Sequence, residues 1–274
     1  MRGSARVVFG VVMLVLAILF IAPFFLVITN SLKTNQEYLV SRIALPRQVN
    51  LVENYGGTIH LMAYPRVLLN TALITAFSLA GLVVFGGTAA YKLARVPGRV
   101  STVIFFIFLS IMVVPFQAVM IPIVVMAKNL ALINSVPGMV VLYWALCAPP
   151  AIFLYHGFVK SIPLEIEESV RMDGAGGLRL FFFIVFPLLK PVTATVGVLM
   201  GLQIWNDFLL PLLMLQKPML YTLTLSSMRF FQTYNTAWSN VLAAIILGCA
   251  PIVILFFLLQ RYVISGVMTG ATKG

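Results

Sequence analysis

Four of the seven acidic residues in this 274-residue chain fall in one stretch, EIEESVRMDGAG, from Glu165 to Gly176. Glu165, Glu167, Glu168 and Asp173 lie there with Arg171. No histidine, cysteine or nucleophile–base pairing accompanies them, so the stretch has the charge of a docking surface without the groups of a catalytic one. A second polar group is Gln203, Trp205, Asn206 and Asp207. Amides, an indole and a carboxylate supply the donors, acceptors and flat apolar face that sugar hydroxyls need. The same groups also serve as clamps between membrane helices, and both readings stay open. His60 and His156 are far apart, and neither has a carboxylate or cysteine at metal-ligand spacing. No Gly-x-x-x-x-Gly-Lys-Ser/Thr phosphate loop occurs. No catalytic residue, metal or cofactor is expected, and the chain is not expected to be an enzyme.

The elements that position these groups are set by composition. The chain is 61% hydrophobic and 9% charged, with a mean hydropathy of +1.06. Soluble domains carry about 25% charged residues. Several apolar runs exceed the roughly 20 residues that cross a bilayer as a helix. The runs are unbroken and show none of the alternation of a membrane barrel. The reading is an all-α polytopic membrane protein, a single membrane domain over 1–274. It has six spans, at about 7–29, 68–92, 101–127, 136–158, 191–215 and 239–263. The run after Arg6 is too long for a signal peptide and reads as a retained span. Cys147 and Cys249 lie inside apolar runs and read as packing. The net charge of +11 does not indicate nucleic acid, because the cations are scattered at the ends of apolar segments.

Alternating topology from a cytoplasmic N-terminus puts eleven of the eighteen Lys and Arg inside and seven outside, so N-terminus and C-terminus are both read as cytoplasmic. Outer loops then cover 30–66, with Leu45-Pro46, Asn50 and Gly56-Gly57 read as turn chemistry, and 216–238, whose aromatics suit an interfacial belt or a docking surface. Val96-Pro97-Gly98 is a tight inner turn. Pro115, Pro122 and Pro149-Pro150 bend their spans, either for packing or to line a pathway.

The inner connection 159–190 reads as a short amphipathic helix, a turn and a second helix from about Leu178 through Ile184. Ser161 is placed as its cap and Pro163 in its first turn. Glu165 lies near the positive end of the helix dipole, and Glu167 pairs with Arg171 four residues on. Pro163, Ile166 and Val170 form the apolar stripe, and Gly174 supplies a left-handed stop. A solvated surface loop and a docking element for a soluble partner both fit these residues.

The segment IPLEIEESVRMDGAGGLRLFFFIVFPLLKP resembles the EAA loop of binding-protein-dependent ABC transporter permeases. That pattern is Glu-Ala-Ala-x-x-x-Gly, followed about nine residues later by Ile-x-Leu-Pro. Glu168-Ser169-Val170, Gly174 and Ile184-Val185-Phe186-Pro187 occupy it, with Ser169 and Val170 in place of alanines and Phe186 in place of leucine. NTALITAFSLAGLVVFGGTAAYKLAR, VPFQAVMIPIVVMAKNLALINS, IWNDFLLPLLML and the tail QRYVISGVMTGATKG are similar to the carbohydrate-importer branch, of the MalG-like kind.

The resemblance implies a permease core over about 68–265, a cytoplasmic tail over 264–274, and a coupling helix that engages an ATPase subunit through Glu165, Glu168, Ser169, Val170, Arg171, Asp173, Gly174 and Ala175. It implies a second permease subunit, two ATP-binding subunits, an extracytoplasmic solute-binding protein and a sugar or oligosaccharide substrate. The setting is the lipid of a bacterial or archaeal plasma membrane. Transport would proceed by alternating access, with Gln203, Trp205, Asn206 and Asp207 as the candidate substrate pathway. An ion-driven secondary transporter subunit and an ABC importer of a non-sugar solute are the alternatives. The first of these would show internal repeats and several midplane charges, and the sequence offers neither.

Overall fold

Backbone N–H and C=O groups in lipid must be paired within the protein, and an α-helix pairs them within one segment. The computed structural model is helical, with no strand among the described residues. These are 2–172, 174, 176–233 and 237–271; for 2–6, 255–256 and 258–271 the backbone alone is described. The helices are α1 (Arg2–Ser31), α2 (Asn35–Val40), α3 (Leu51–Leu61), α4 (Tyr64–Gly81), α5 (Gly87–Arg95), α6 (Arg99–Val113), α7 (Phe116–Asn129), α8 (Val136–Lys160), α9 (Leu164–Met172), α10 (Gly177–Leu180), α11 (Phe186–Leu188), α12 (Lys190–Asn206), α13 (Leu209–Met214), α14 (Leu223–Thr233) and α15 (Trp238–Ala271). π-helical turns at Leu82–Gly86 and Phe181–Val185 join α4 to α5 and α10 to α11. The chain divides into two compact units, Met1–Val67 with Leu225–Pro251, and Leu68–Thr224 with Ile252–Gly274.

In the first unit, α1 leaves its apolar side chains from Val7 to Phe20 exposed, as a lipid-facing helix does. Its last turn is held by polar groups. Lys33, counted above among outer-loop cations, is fully buried and donates to Asn30 Oδ1 at 2.8 Å and to the Ser41 carbonyl at 2.9 Å. Asn30 donates in turn to the carbonyls of Leu26 and Arg42, and Asn54 to those of Ser31 and Lys33. The ammonium thus sits just past a helix C-terminus, where the dipole favours positive charge. These bonds order 30–66 around α2 and α3, and 41–50 between them, with Leu45-Pro46 and Asn50, is the irregular part. Gly56 and Gly57 lie inside α3 and form no turn there. Anchoring of Asn54, and of Thr58 to the Asn240 carbonyl at 3.4 Å, outweighs the low helix propensity of glycine. The aromatics Tyr38 and Trp238 stack on each other with ring centroids 5.9 Å apart.

In the second unit the continuous helix α4–α5 packs along α8. Gly81 makes room for this packing, because a Cβ there would overlap the indole of Trp144. The Trp144 N–H donates to the carbonyls of Phe77 and Ser78, just before the π turn, at 3.2 and 3.1 Å. Asn70 and Thr71 hold the segment 219–223 through its backbone. Of the expected outer loop 216–238, the part 216–224 is thus ordered in this unit, and α14 continues into residues of the first. Val96-Pro97-Gly98 is a turn with Gly98 at φ 155°.

Three stretches are long and apolar enough to cross a bilayer unbroken: Val7–Ser31, Tyr64–Arg95 and Val136–Lys160. Trp238–Ile254 is a shorter apolar helix, and the backbone continues helical through the expected tail to Ala271. The expected span 101–127 is not one helix, since α6 and α7 meet at 106°. Pro115 lacks an N–H and forces Val114 into an extended conformation, φ −78° and ψ 117°. The expected span 191–215 also breaks, because α12 ends at Asn206 and Asp207 is extended, φ −67° and ψ 132°.

The Gly81 contact gives a direct test. Gly81→Val should destabilise the detergent-solubilised protein by about 1–3 kcal/mol, as overpacking does. Gly157→Ala, on α8 with open space around it, should leave the melting temperature unchanged or raise it. Equal effects at the two sites would contradict the packing described.

Candidate functional site

The acidic stretch forms α9, and its most buried residue is a charge. The Glu167 side chain is 2% exposed. Its Oε1 accepts from Arg95 Nε at 2.6 Å and its Oε2 from the Tyr91 hydroxyl at 2.7 Å. Arg171 forms the expected ion pair four residues on, but at 3.8 Å and with its side chain 59% exposed. Arg95 also donates to the Ile162 carbonyl at 2.8 Å, at the entrance to α9. Tyr91 packs against Phe181, buried in the second π turn, with centroids 5.2 Å apart. Both ends of the α9 connection and its middle are thus tied to the last turn of α5.

This geometry inverts the amphipathic reading. Pro163 and Ile166 are exposed and Val170 half-buried, while Glu167 faces the protein. Ser161 does not cap α9: it lies at the end of α8, where its hydroxyl donates to the Phe158 carbonyl at 2.8 Å. Glu165, Glu168, Ser169 and Arg171 are exposed together on α9. Gly174 takes the expected left-handed conformation at φ 81°, and its N–H donates to the Arg171 carbonyl at 3.0 Å. Asp173 and Ala175 lie outside the described residues. Tyr91 and Arg95 were missed as site residues. Their signal was spacing: four residues apart on one face at the end of an apolar span, with the cation lacking an acid on its own helix.

The second polar group lines a cavity of about 640 Å³ within the Leu68–Thr224 unit. Gln203, Asn206 and Asp207 contribute to its wall; Trp205 does not, and is 6% exposed elsewhere. Phe116, Gln117 and Tyr143 join from α7 and α8, and Pro149 and Pro150 of α8 also line it. Asp207 is not in mid-helix. Its Oδ1 accepts from Leu209 N at 2.9 Å and Leu210 N at 3.5 Å, capping α13, and its Oδ2 accepts from the Tyr143 hydroxyl at 3.0 Å. Asp207 thus bonds across to α8 while lining the cavity, whereas Asn206 Nδ2 donates within its own helix, to the Leu202 carbonyl at 2.9 Å. Asp207 is the one charged side chain among the described residues of that wall. The volume falls in the ~300–1,000 Å³ range of small-ligand sites.

Residues 82–269 match the family described as binding-protein-dependent transport system inner membrane component. The chain is 35% identical to the probable starch degradation products transport system permease protein AmyC of Thermoanaerobacterium thermosulfurigenes, over 95% of this chain and 94% of that one. It is 36% identical to the melibiose/raffinose/stachyose import permease protein MelC of Bacillus subtilis, over 92% and 91%. Its fold matches a chain of a bacterial ABC transporter involved in the import of the acidic polysaccharide alginate, with a TM-score of 0.82, 24% identity, and coverage of 94% of this chain and 95% of that one.

The Tyr143–Asp207 clamp is measurable by a double-mutant cycle in thermal unfolding. Asp207→Ala should cost more than Tyr143→Phe, since it removes cap and clamp together. The two should couple by about 0.5–1.5 kcal/mol. Additivity within about 0.3–0.5 kcal/mol would show that the hydrogen bond contributes nothing.

Proposed function

The chain belongs to the family of binding-protein-dependent transport system inner membrane components, and on that premise we propose that it is a membrane-spanning subunit of an ABC importer for a sugar or oligosaccharide. It pairs with a second permease subunit to form the pathway. Two separate ATP-binding subunits drive it from the cytoplasm, and an extracytoplasmic solute-binding protein delivers the substrate to the outer segments 30–66 and 216–238. Both termini face the cytoplasm of a bacterial or archaeal cell. The relatives that import starch degradation products and melibiose, raffinose or stachyose support a carbohydrate cargo. Family membership weighs against an ion-driven carrier.

The observation that carries this reading is the presentation of α9. A short helix with Glu165, Glu168, Ser169 and Arg171 exposed on it is anchored through a buried side chain to the end of an apolar helix. A docking helix held in this way suits insertion into a groove of a soluble partner, and a rigid lever suits hinge or rigid-body switching of a bundle. On the pathway side, Gln203, Asn206 and Asp207 with Gln117, Tyr143 and Phe116 offer hydroxyl-binding groups around an aromatic face.

Cysteine cross-linking from Glu168→Cys to the co-expressed ATPase subunit tests the reading. The cross-link should form in the assembled transporter and change in yield on adding ATP. A properly inserted chain that gives no cross-link from any exposed position of α9 would contradict it.

A further inference from the structure

We propose that Arg95 and Tyr91, acting on Glu167, are positioning residues that route the ATPase stroke into the helix α4–α5, and not only into the two segments that flank the docking loop. The inference rests on the docking reading of α9 and adds to it a route. A loop connected only through its ends transmits force along the chain, into α8 on one side and α10 on the other. Here the middle of α9 is tied sideways. Glu167 accepts from Arg95 at 2.6 Å and from Tyr91 at 2.7 Å, and the same guanidinium holds the Ile162 carbonyl at 2.8 Å.

Burial makes this a stiff link. With the Glu167 side chain 2% exposed and that of Arg95 9% exposed, pulling them apart would leave a charge without its partner in a poorly solvated place. The exposed contact with Arg171 at 3.8 Å is screened and weak by comparison. Any displacement of α9 must carry the end of α5 with it. That helix packs along α8, and α8 supplies Tyr143, Pro149 and Pro150 to the cavity wall. Transmission also requires an element with two arrangements. The π turn Leu82–Gly86 is well placed for it, because such turns recur at functional sites. The carbonyls just upstream are already held from the side by the Trp144 indole.

The test uses the assembled transporter, carrying Cys147→Ala and Cys249→Ala, with two readouts. An environment-sensitive fluorophore on Met112→Cys reports on the cavity wall, and the Glu168→Cys cross-link reports docking. Magnesium ATP should change the reporter signal in the parent protein. Arg95→Met and Glu167→Gln should keep the cross-link while the reporter change falls roughly threefold to tenfold, inside the roughly twofold to thirtyfold range by which residues on a coupling route modulate it. Tyr91→Phe keeps the ion pair and should give a smaller loss, which covers the case in which the charge variants fail to assemble. The reversal Arg95→Glu with Glu167→Arg should recover part of the signal. An undiminished reporter change in the Arg95 and Glu167 variants, or in Tyr91→Phe where those do not assemble, would overturn the proposal. Absence of the cross-link in the parent protein would instead overturn the docking reading, and the route with it.

Discussion

A carboxylate buried beside the membrane is costly unless its charge is met, and most of the arrangement around α9 follows from meeting the charge of Glu167. Its two oxygens are occupied by Arg95 and Tyr91. That requirement fixes which face of α9 looks inward and turns its neighbours outward. Glu165, Glu168, Ser169 and Arg171 are exposed because Glu167 is not. Gly174 at φ 81° then lets the chain reverse where a side chain would be strained. The exposed face of α9, proposed above as a docking surface, is the complement of a buried ion pair.

The cavity is built on a related principle. Helices that cross lipid avoid interruption, so each break needs a local device to hold it. At Val114–Pro115 the device is covalent: proline removes a donor and restricts the residue before it. At Asp207 it is a side chain that caps the next helix and reaches across to Tyr143. Both breaks border the same cavity. At the second break the residues that end the helix, Asn206 and Asp207, also supply part of the cavity's polar wall, and discontinuous helices are a recurrent way to build a binding site inside a membrane protein.

Much of this was legible in the residues. The all-helical membrane class followed from composition, and the glycine stop and the acidic stretch were read at their positions. The breaks were less legible. Asp207 was read as lying within a span because the apolar run continues through Leu209–Leu215, and hydropathy does not register that Asn-Asp is also capping chemistry. Glu167 was assigned to Arg171 because helical spacing sees only partners on the same helix. That contact forms at 3.8 Å, but the shorter bond, at 2.6 Å, comes from Arg95, 72 positions away, a tertiary fact that no local period contains. Gly56-Gly57 was read as a turn for the same reason, since the bonds from Asn54 that stabilise α3 are made across the fold.

The central claim is that α9 and the end of α5 move as one body. Spin labels at Leu164→Cys on α9 and Lys92→Cys on α5 measure it directly by pulsed electron resonance in the assembled transporter. The account expects the same distance distribution with and without magnesium ATP, whatever else in the transporter rearranges. A nucleotide-dependent shift of several ångströms between those labels would mean that the Glu167 anchor opens during the cycle, and the account would fail.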